Sequence, residues 1–190
     1  MGAECFMRAA QTQSLLVAIS RMAAAEREEI FRRFGTTSLD EAKAALPLSW
    51  LPMTLHMKLS DALRDVGGPD AVVRGFRQAM AATFDRPILR SFVSMTTGIF
   101  GMTPHGLLVR VDRVYEQMTK NLGELAYVSQ GPNAGEVTLT GFPAREFSFD
   151  CYVDGLQGCL LAGLDVWKVR GEVTVLSRSA AGSVTYQLRW

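Results

Sequence analysis

The stretch that decides the fold is residues 124–190, ELAYVSQGPNAGEVTLTGFPAREFSFDCYVDGLQGCLLAGLDVWKVRGEVTVLSRSAAGSVTYQLRW. Near its start, Leu125, Tyr127 and Ser129 alternate with Ala126 and Val128, and a period of two returns with Val137, Leu139 and Gly141. The sequence between them, GPNAG, is rich in turn-forming residues. An alternation of period two on both sides of such a turn predicts a β-hairpin.

The end of the same stretch predicts a second hairpin. Residues 166–177 contain four valines, and residues 184–190 alternate strictly between apolar and polar side chains up to Trp190. Ala180-Ala181-Gly182 lies between the two runs. Gly171 interrupts the first run, which is typical of a β-bulge. The order of elements is therefore β-β-α-β-β.

A helix is expected between the hairpins, capped by Ser148 or Asp150 and continuing through Leu164. Gly155 and Gly158 lie inside it, and each lowers intrinsic helicity by roughly 1 kcal/mol. Glycine at such positions is typical of close approach, so we expect this helix to pack tightly against the sheet or another helix.

Residues 5–122 show mainly a period near 3.6, which indicates helices. Ser38 and Glu41 fit a capping box, and Gly67-Gly68 should end one helix before Pro69 begins another. The first few residues could instead pair as a strand. The predicted helices cover residues 5–22, 23–34, 38–47, 50–66, 69–86, 87–100 and 104–121.

These patterns predict an α+β fold, with an N-terminal helical layer packed on a four-stranded antiparallel sheet. A chain of 190 residues suits one domain. We expect residues 1–190 to form a single domain, with 1–36 as a possible added helical arm and 37–190 as the core.

Composition excludes several classes of function. The chain has 20 Lys plus Arg and 19 Asp plus Glu, so it lacks the basic excess expected of a nucleic-acid-binding protein. Its three cysteines have no CxxC spacing, which predicts neither a disulfide framework nor a zinc site. No signal peptide and no apolar run of about 20 residues is visible, so a cytoplasmic protein is expected.

Several short motifs resemble a family of uncharacterised paralogous myxobacterial proteins of similar length. They are Leu48-Ser49-Trp50, Arg74-Gly75-Phe76, Met118-Thr119-Lys120-Asn121, Asp154-Gly155 and residues 184–190. The resemblance covers roughly residues 40–190.

The helix followed by two strands at the end also resembles a broader superfamily, that of vinyl-reductase-type sensor domains, heme nitric-oxide-binding domains and TRAPP subunits. This resemblance implies an α+β fold that is often dimeric, with an apolar cavity for a small molecule or acyl chain in some members. The vinyl-reductase type tends to carry paired cysteines at the last hairpin, where this chain has Ser177, Ser179 and Tyr186.

Two histidines, His56 and His105, are the only imidazoles in the chain. His56 lies at helical spacing from Trp50 and Leu59 and could be a heme or metal ligand, although a lone histidine is more often structural. The resemblance to heme domains implies a Tyr-x-Ser-x-Arg signature, and the sequence lacks it. We expect no cofactor.

Catalysis is the second hypothesis. Neutral His105 could activate Cys151 or Cys159, and Asp150 and Asp154 lie four residues apart on one helix face. Such a small enzyme would have its pocket beside the helix of residues 148–164. The ordinary interpretation is core cysteines and a capping aspartate.

The nine methionines give the best functional hint from residues alone, because flexible thioether side chains make an adaptable lining for a hydrophobic ligand or a partner helix. The leading hypothesis is a non-enzymatic sensory or scaffolding domain, homodimeric through its helical layer, that binds a small apolar ligand or a protein partner. The broad apolar face of residues 87–100 motivates it. The expected ligand-lining residues are Met57, Phe92, Met95, Phe100, Met118 and Tyr152.

Overall fold

The computed structural model describes residues 4–84 and 103–190. The helices are α1 Ala9–Ser20, α2 Ala24–Phe34, α3 Thr36–Ala44, α4 Met53–Phe84, α5 Pro104–Leu108, α6 Val111–Met118 and α7 Phe149–Val166. The strands are β1 Phe6–Arg8, β2 Trp50–Pro52, β3 Thr119–Lys120, β4 Glu124–Ser129, β5 Ala134–Thr140, β6 Glu172–Ser179 and β7 Ser183–Arg189. The α+β fold class is confirmed. The helix predicted over 87–100 lies outside the described residues.

The predicted β-β-α-β-β unit is present. Strands β4, β5, β7 and β6 form an antiparallel sheet in that order, with α7 between its two hairpins in the chain. Tyr127 pairs with Val137, and Val137 pairs with Tyr186. The alternation of β7 places Val184, Tyr186 and Leu188 in the core. The Tyr186 hydroxyl donates a 2.9 Å hydrogen bond to the Val153 carbonyl, which ties the sheet to α7.

The predicted bulge at Gly171 is wrong. The register of β6 against β7 shifts between Val175 and Ser177 instead. Helix α7 continues to Val166, two residues beyond its predicted end, so β6 begins only at Glu172. Gly171 serves a different purpose, because a Cβ there would meet the Arg189 carbonyl oxygen.

The strands that lie among the helices in the chain form a second, small sheet of order β2-β1-β3. β1 pairs antiparallel with β2 and with β3. Residues 50–52 were expected to open a helix, but they form β2, and α4 begins only at Met53. Strands of two or three residues are too short to show a period of two, which is why the pattern did not reveal them.

Helix α4 is kinked where the two glycines were expected to end it. Gly68 has φ 72° and ψ −178°, a conformation that favours glycine. Pro69 follows at a position where a missing amide hydrogen costs little. The two halves of α4 are therefore the two helices that the sequence predicts.

Three helix ends differ from the predictions in whole or in part. Ser38 lies inside α3, which follows Gly35, and its hydroxyl accepts a 2.9 Å hydrogen bond from the Lys58 ammonium instead of capping the helix. Ser148 is at the N-cap position of α7, as predicted, but its side chain makes no capping hydrogen bond. The helix predicted over 104–121 is divided into α5 and α6 and gives way to β3 at Thr119.

Residues 4–36 contribute to the same buried core as the rest of the described chain. Leu15 from α1 and Ile30 and Phe34 from α2 are fully buried in it. Leu63 from the first half of α4 and Leu139 from the sheet belong to the same core.

The two glycines of α7 make the close approach that the sequence predicts. A Cβ on Gly155 would lie 3.0 Å from the Phe76 ring. A Cβ on Gly158 would collide with the Val73 carbonyl oxygen and lie 3.0 Å from the Arg77 amide nitrogen. Helix α7 thus packs backbone to backbone against the second half of α4.

Gly158→Ala and Gly163→Ala form a matched pair that tests this packing. The first should lower the free energy of unfolding by about 1–3 kcal/mol, because rigid backbone must move aside. The second should raise it by about 0.5–1 kcal/mol, because a Cβ there meets only Leu107 at an ordinary 3.7 Å and alanine favours the helix. Chemical denaturation measures both. Equal effects would show that the glycines do not set the helix separation.

Candidate functional site

A partly open cavity of about 90 Å³ lies between the helical side of the fold and α7. It opens where β1 and α1, both halves of α4, and α5 and α6 converge on α7. Its described lining is Met7, Gln11, Leu15, His56, Phe76, Ala79, Met80, Phe84, Leu107, Leu108, Val111, Val114, Tyr115, Met118, Thr119, Leu125, Tyr152, Leu156, Cys159, Leu160 and Gly163.

The described lining of this cavity contains no Lys, Arg, Asp or Glu. An ion placed there would lose its hydration without gaining a partner of opposite charge. Three of the lining residues are the flexible side chains of Met7, Met80 and Met118, which can adapt to the shape of an occupant. The site therefore suits a neutral, mostly apolar molecule.

Two tyrosines form a polar pair at the wall. The Tyr115 hydroxyl donates to the Leu122 carbonyl at 2.9 Å and lies 2.7 Å from the Tyr152 hydroxyl. Since Tyr115 donates its only hydroxyl hydrogen to the Leu122 carbonyl, Tyr152 is the donor in the bond between the two hydroxyls. Burial raises the pKa of both phenols, so both remain neutral.

His56 is the polar group in this wall with an unused ring nitrogen. Its side chain is 1% exposed. Nδ1 lies 3.0 Å from the Thr12 hydroxyl, which holds the ring in place. Nε2 is buried and has no hydrogen-bond partner among the described residues. The ring of Phe76 packs edge to face on His56, with 5.6 Å between the ring centroids.

Burial lowers the pKa of His56 to about 4. The imidazole is therefore neutral near pH 7, with a hydrogen on one ring nitrogen only. If Thr12 donates to Nδ1, then Nε2 carries the hydrogen and is a donor. If Nδ1 donates to Thr12, then Nε2 is an acceptor. An unpaired buried group of either kind costs about 1–3 kcal/mol.

Of the six ligand-lining residues expected from the sequence, Met118 and Tyr152 lie in this wall. Met57 lines a different and more polar cleft, beside Lys58, Asp61 and Glu146. Phe92, Met95 and Phe100 lie outside the described residues. Their role as ligand contacts stays a prediction.

The sequence contains a pattern that predicts the cavity wall, but only one of its residues, Met118, was among the expected ligand-lining residues. The apolar stripe predicted for residues 104–121 faces the cavity as a whole; it comprises Leu107, Leu108, Val111, Val114, Tyr115 and Met118. Thr12 gave no signal, because between Gln11 and Gln13 it resembled a polar interruption of a helix. Its role depends on His56, which is 44 residues away.

The residues of the enzymatic hypothesis are engaged separately. Asp150 pairs with Arg178 at 2.7 Å. Asp154 lies 3.4 Å from Arg64. Both ring nitrogens of His105 have partners, the Tyr127 hydroxyl and the Pro132 carbonyl.

The two cysteines of that hypothesis are poor nucleophiles. Cys151 is fully buried, and burial is the main cause that raises the pKa of its thiol. Burial also raises the pKa of Cys159 to about 12. Both thiols therefore stay protonated near pH 7, and the thiolate is the reactive form. Within residues 4–84 and 103–190, no group of three His, Cys, Asp or Glu side chains is placed to hold a metal ion.

No family model matches the chain, and no curated protein matches it. Solved structures do match. The Fe(II) unliganded H-NOX protein from K. algicida has a TM-score of 0.65 at 11% identity, with 96% of each chain covered. The chain has the H-NOX fold.

Two further structures support this assignment of the fold. An oxygen-binding H-NOX domain related to soluble guanylate cyclases, solved as its oxygen complex, has a TM-score of 0.63 at 13% identity, covering 96% of this chain and 94% of that one. A mutant of T. tengcongensis H-NOX has a TM-score of 0.64 at 11% identity, covering 96% and 97%. Identities this low establish the fold alone.

Two other structures with this fold were studied for the distortion of their heme, but heme does not fit the described residues of this chain. Its size belongs with ligands that occupy pockets of about 300–1,000 Å³, and the cavity measures about 90 Å³. No described lining residue is a cation that could pair with propionates. His105 has both nitrogens engaged, which leaves His56 as the only imidazole with a nitrogen to offer.

The lowered pKa of His56 predicts a pH dependence of stability. In the unfolded chain the imidazole gains its proton near pH 6.5, whereas the folded protein gains it only near pH 4. The stabilising contribution is therefore complete above pH 6.5 and is lost as the pH falls to 4, by on the order of 3 kcal/mol.

Urea denaturation of the wild type and of His56→Gln, at pH 7 and pH 4, isolates this effect. Glutamine does not titrate, so the wild type should lose about 3 kcal/mol more than the variant between the two values. Equal losses would show that His56 is not buried in its neutral form.

Proposed function

We propose that this chain is a non-enzymatic sensory domain that binds a small, uncharged, apolar molecule in the cavity between α1, α4, α6 and α7. The observation that carries the proposal is the cavity itself, apolar on most of its surface and without any charged side chain in its described lining. An engineered cavity of about 150 Å³ in another protein binds benzene or xenon, so about 90 Å³ suits an occupant no larger than about one aromatic ring.

The fold is consistent with this proposal. One of the similar structures is an oxygen complex, and another is a protein studied through its heme. This chain has the same fold, but its small apolar cavity does not suit heme. We therefore infer that the ligand binds in the cavity itself, without heme. The resemblance to uncharacterised myxobacterial proteins remains a hypothesis within this proposal.

The enzymatic alternative is less well supported. Its candidate aspartates and His105 are paired with Arg178, Arg64, Tyr127 and Pro132, and desolvation raises the pKa of both candidate thiols, so they stay protonated near pH 7. A heme or metal sensor through His56 is a third alternative. Its absorbance signature is simple to detect. A purified protein with a Soret band that His56→Ala abolishes would favour it over the apolar ligand.

We further propose that residues 1–36 are integral to one domain that spans 1–190, because α1 contributes Leu15 to the cavity wall. Within the described residues, no helix is both long enough and apolar enough to cross a membrane. A cytoplasmic location and a homodimer formed through the helical side are parts of the proposal that follow from the sequence. A protein partner in place of a second copy is the alternative.

Ligand binding can be tested with xenon and benzene as probes on protein labelled at its methionine methyl groups. In NMR titrations the signals of Met7, Met80 and Met118 should shift, because these residues line the cavity. The signals of Met22, Met53 and Met57 serve as internal controls.

Ala79→Leu should weaken the binding of both probes at least tenfold, because the larger side chain occupies the cavity that Ala79 lines. Ala82→Leu, on the same helix and half-buried, is the matched control and should bind like the wild type. Uniform small shifts of all methionines, or equal binding by both variants, would overturn the cavity proposal.

Native mass spectrometry of freshly purified protein tests the assembly and retained ligands together. A mass of twice 20.8 kDa is expected for the homodimer. An added mass that disappears on denaturation would support a bound small molecule. A species of 20.8 kDa across a wide range of protein concentrations would contradict the homodimer.

A further inference from the structure

We infer that His56 is the recognition residue of this cavity and that the ligand carries one neutral hydrogen-bonding group, such as a hydroxyl, on a small apolar body. This inference rests on the proposed function and adds the chemical class of the ligand to it. In this inference, a hydrogen bond to a single nitrogen atom, Nε2 of His56, sets the orientation of the ligand.

The first step of the argument is the geometry of His56. Thr12 occupies Nδ1 at 3.0 Å, so the ring cannot turn to use both nitrogens elsewhere without losing that bond. Nε2 remains buried and unpaired among the described residues. Buried polar groups in proteins nearly always have partners, so an unpaired nitrogen on a residue that lines the cavity indicates where a ligand atom would be bound.

The second step is the chemistry of the surroundings. Phe76, which packs edge to face on His56, provides no lone pair and no acidic hydrogen. Leu15, Met80 and Leu160 also line the cavity and provide none. The other buried polar pair, Tyr115 and Tyr152, already satisfies its hydrogens internally. Gln11 and Thr119 are also in the lining, but Gln11 is only half-buried and the Thr119 hydroxyl donates to the Tyr115 carbonyl. Among the described lining residues, His56 is the one with a buried polar nitrogen that has no partner.

The third step is charge. His56 is neutral near pH 7, and the described lining has no Lys or Arg. A carboxylate or phosphate ligand would be buried without a counter-charge, which is strongly unfavourable. A hydroxyl, in contrast, both donates and accepts, so it satisfies Nε2 in either tautomer of His56.

The test uses benzene and phenol, which share a body and differ by one hydroxyl, with benzoate as the charged comparison. In the wild type, phenol should bind at least as tightly as benzene, and benzoate should not bind. In His56→Leu, phenol should bind at least tenfold more weakly than benzene, because its hydroxyl then has no partner. His56→Gln, which can place a polar group near the former Nε2, should restore part of the preference.

The Thr12→Val/His56→Leu double variant removes the hydroxyl that the single change would expose, so Thr12 cannot stand in for His56. Its ratio of phenol to benzene affinity should match that of His56→Leu. A ratio that is the same in the wild type and in both leucine variants would overturn the role of His56.

A measurement on the wild type alone avoids any question of whether the variants fold. In protein labelled with ¹⁵N at histidine, the His56 Nε2 signal should shift with phenol and remain in place with benzene. The His105 signals are the internal control, because both of its ring nitrogens already have partners.

The outcomes separate the two proposals. If benzene and phenol both bind but Nε2 does not respond to phenol, the cavity function stands and the assignment of His56 is wrong. If neither probe binds, the proposed function fails first, and the recognition role fails with it.

Discussion

The close contact between α7 and the second half of α4 is the constraint on which the rest of the structure depends. Gly158 allows the α7 backbone to reach the Val73 carbonyl, and Gly155 receives the Phe76 ring in the space that a side chain would fill. A larger residue at either position would separate the helices. The sheet, which is tied to α7 through Tyr186, would move with it.

The same contact shapes the cavity. Phe76 packs on Gly155 and also meets the ring of His56, although His56 and Phe76 lie on different halves of α4. The kink at Gly68 is what allows one helix to supply both residues to one wall. The polar atom of the site is thus placed by a backbone conformation that is readily available only to glycine.

Local patterns in the sequence predict most of the fold. The alternation in residues 184–190 and the turn-forming residues 131–133 identify the sheet, and Gly67-Gly68 identifies the break in α4. What fails is short or non-local. Residues 50–52 form a strand by pairing with β1. The Ser38 hydroxyl accepts a hydrogen bond from Lys58, 20 residues away, instead of capping a helix. The site follows the same division: the stripe of 104–121 predicts its apolar wall, but nothing near His56 predicts Thr12.

The glycine contact also determines how stiffly the domain is built around the cavity. Flexible side chains between two helices can absorb a small displacement of one helix by changing rotamer. Between the second half of α4 and α7 there is backbone against backbone at Val73 and a ring against backbone at Phe76. This contact leaves little free space, so a displacement of Phe76 by even a fraction of an ångström must also displace α7. Through the Tyr186 hydrogen bond, the sheet is mechanically coupled to the wall of the cavity.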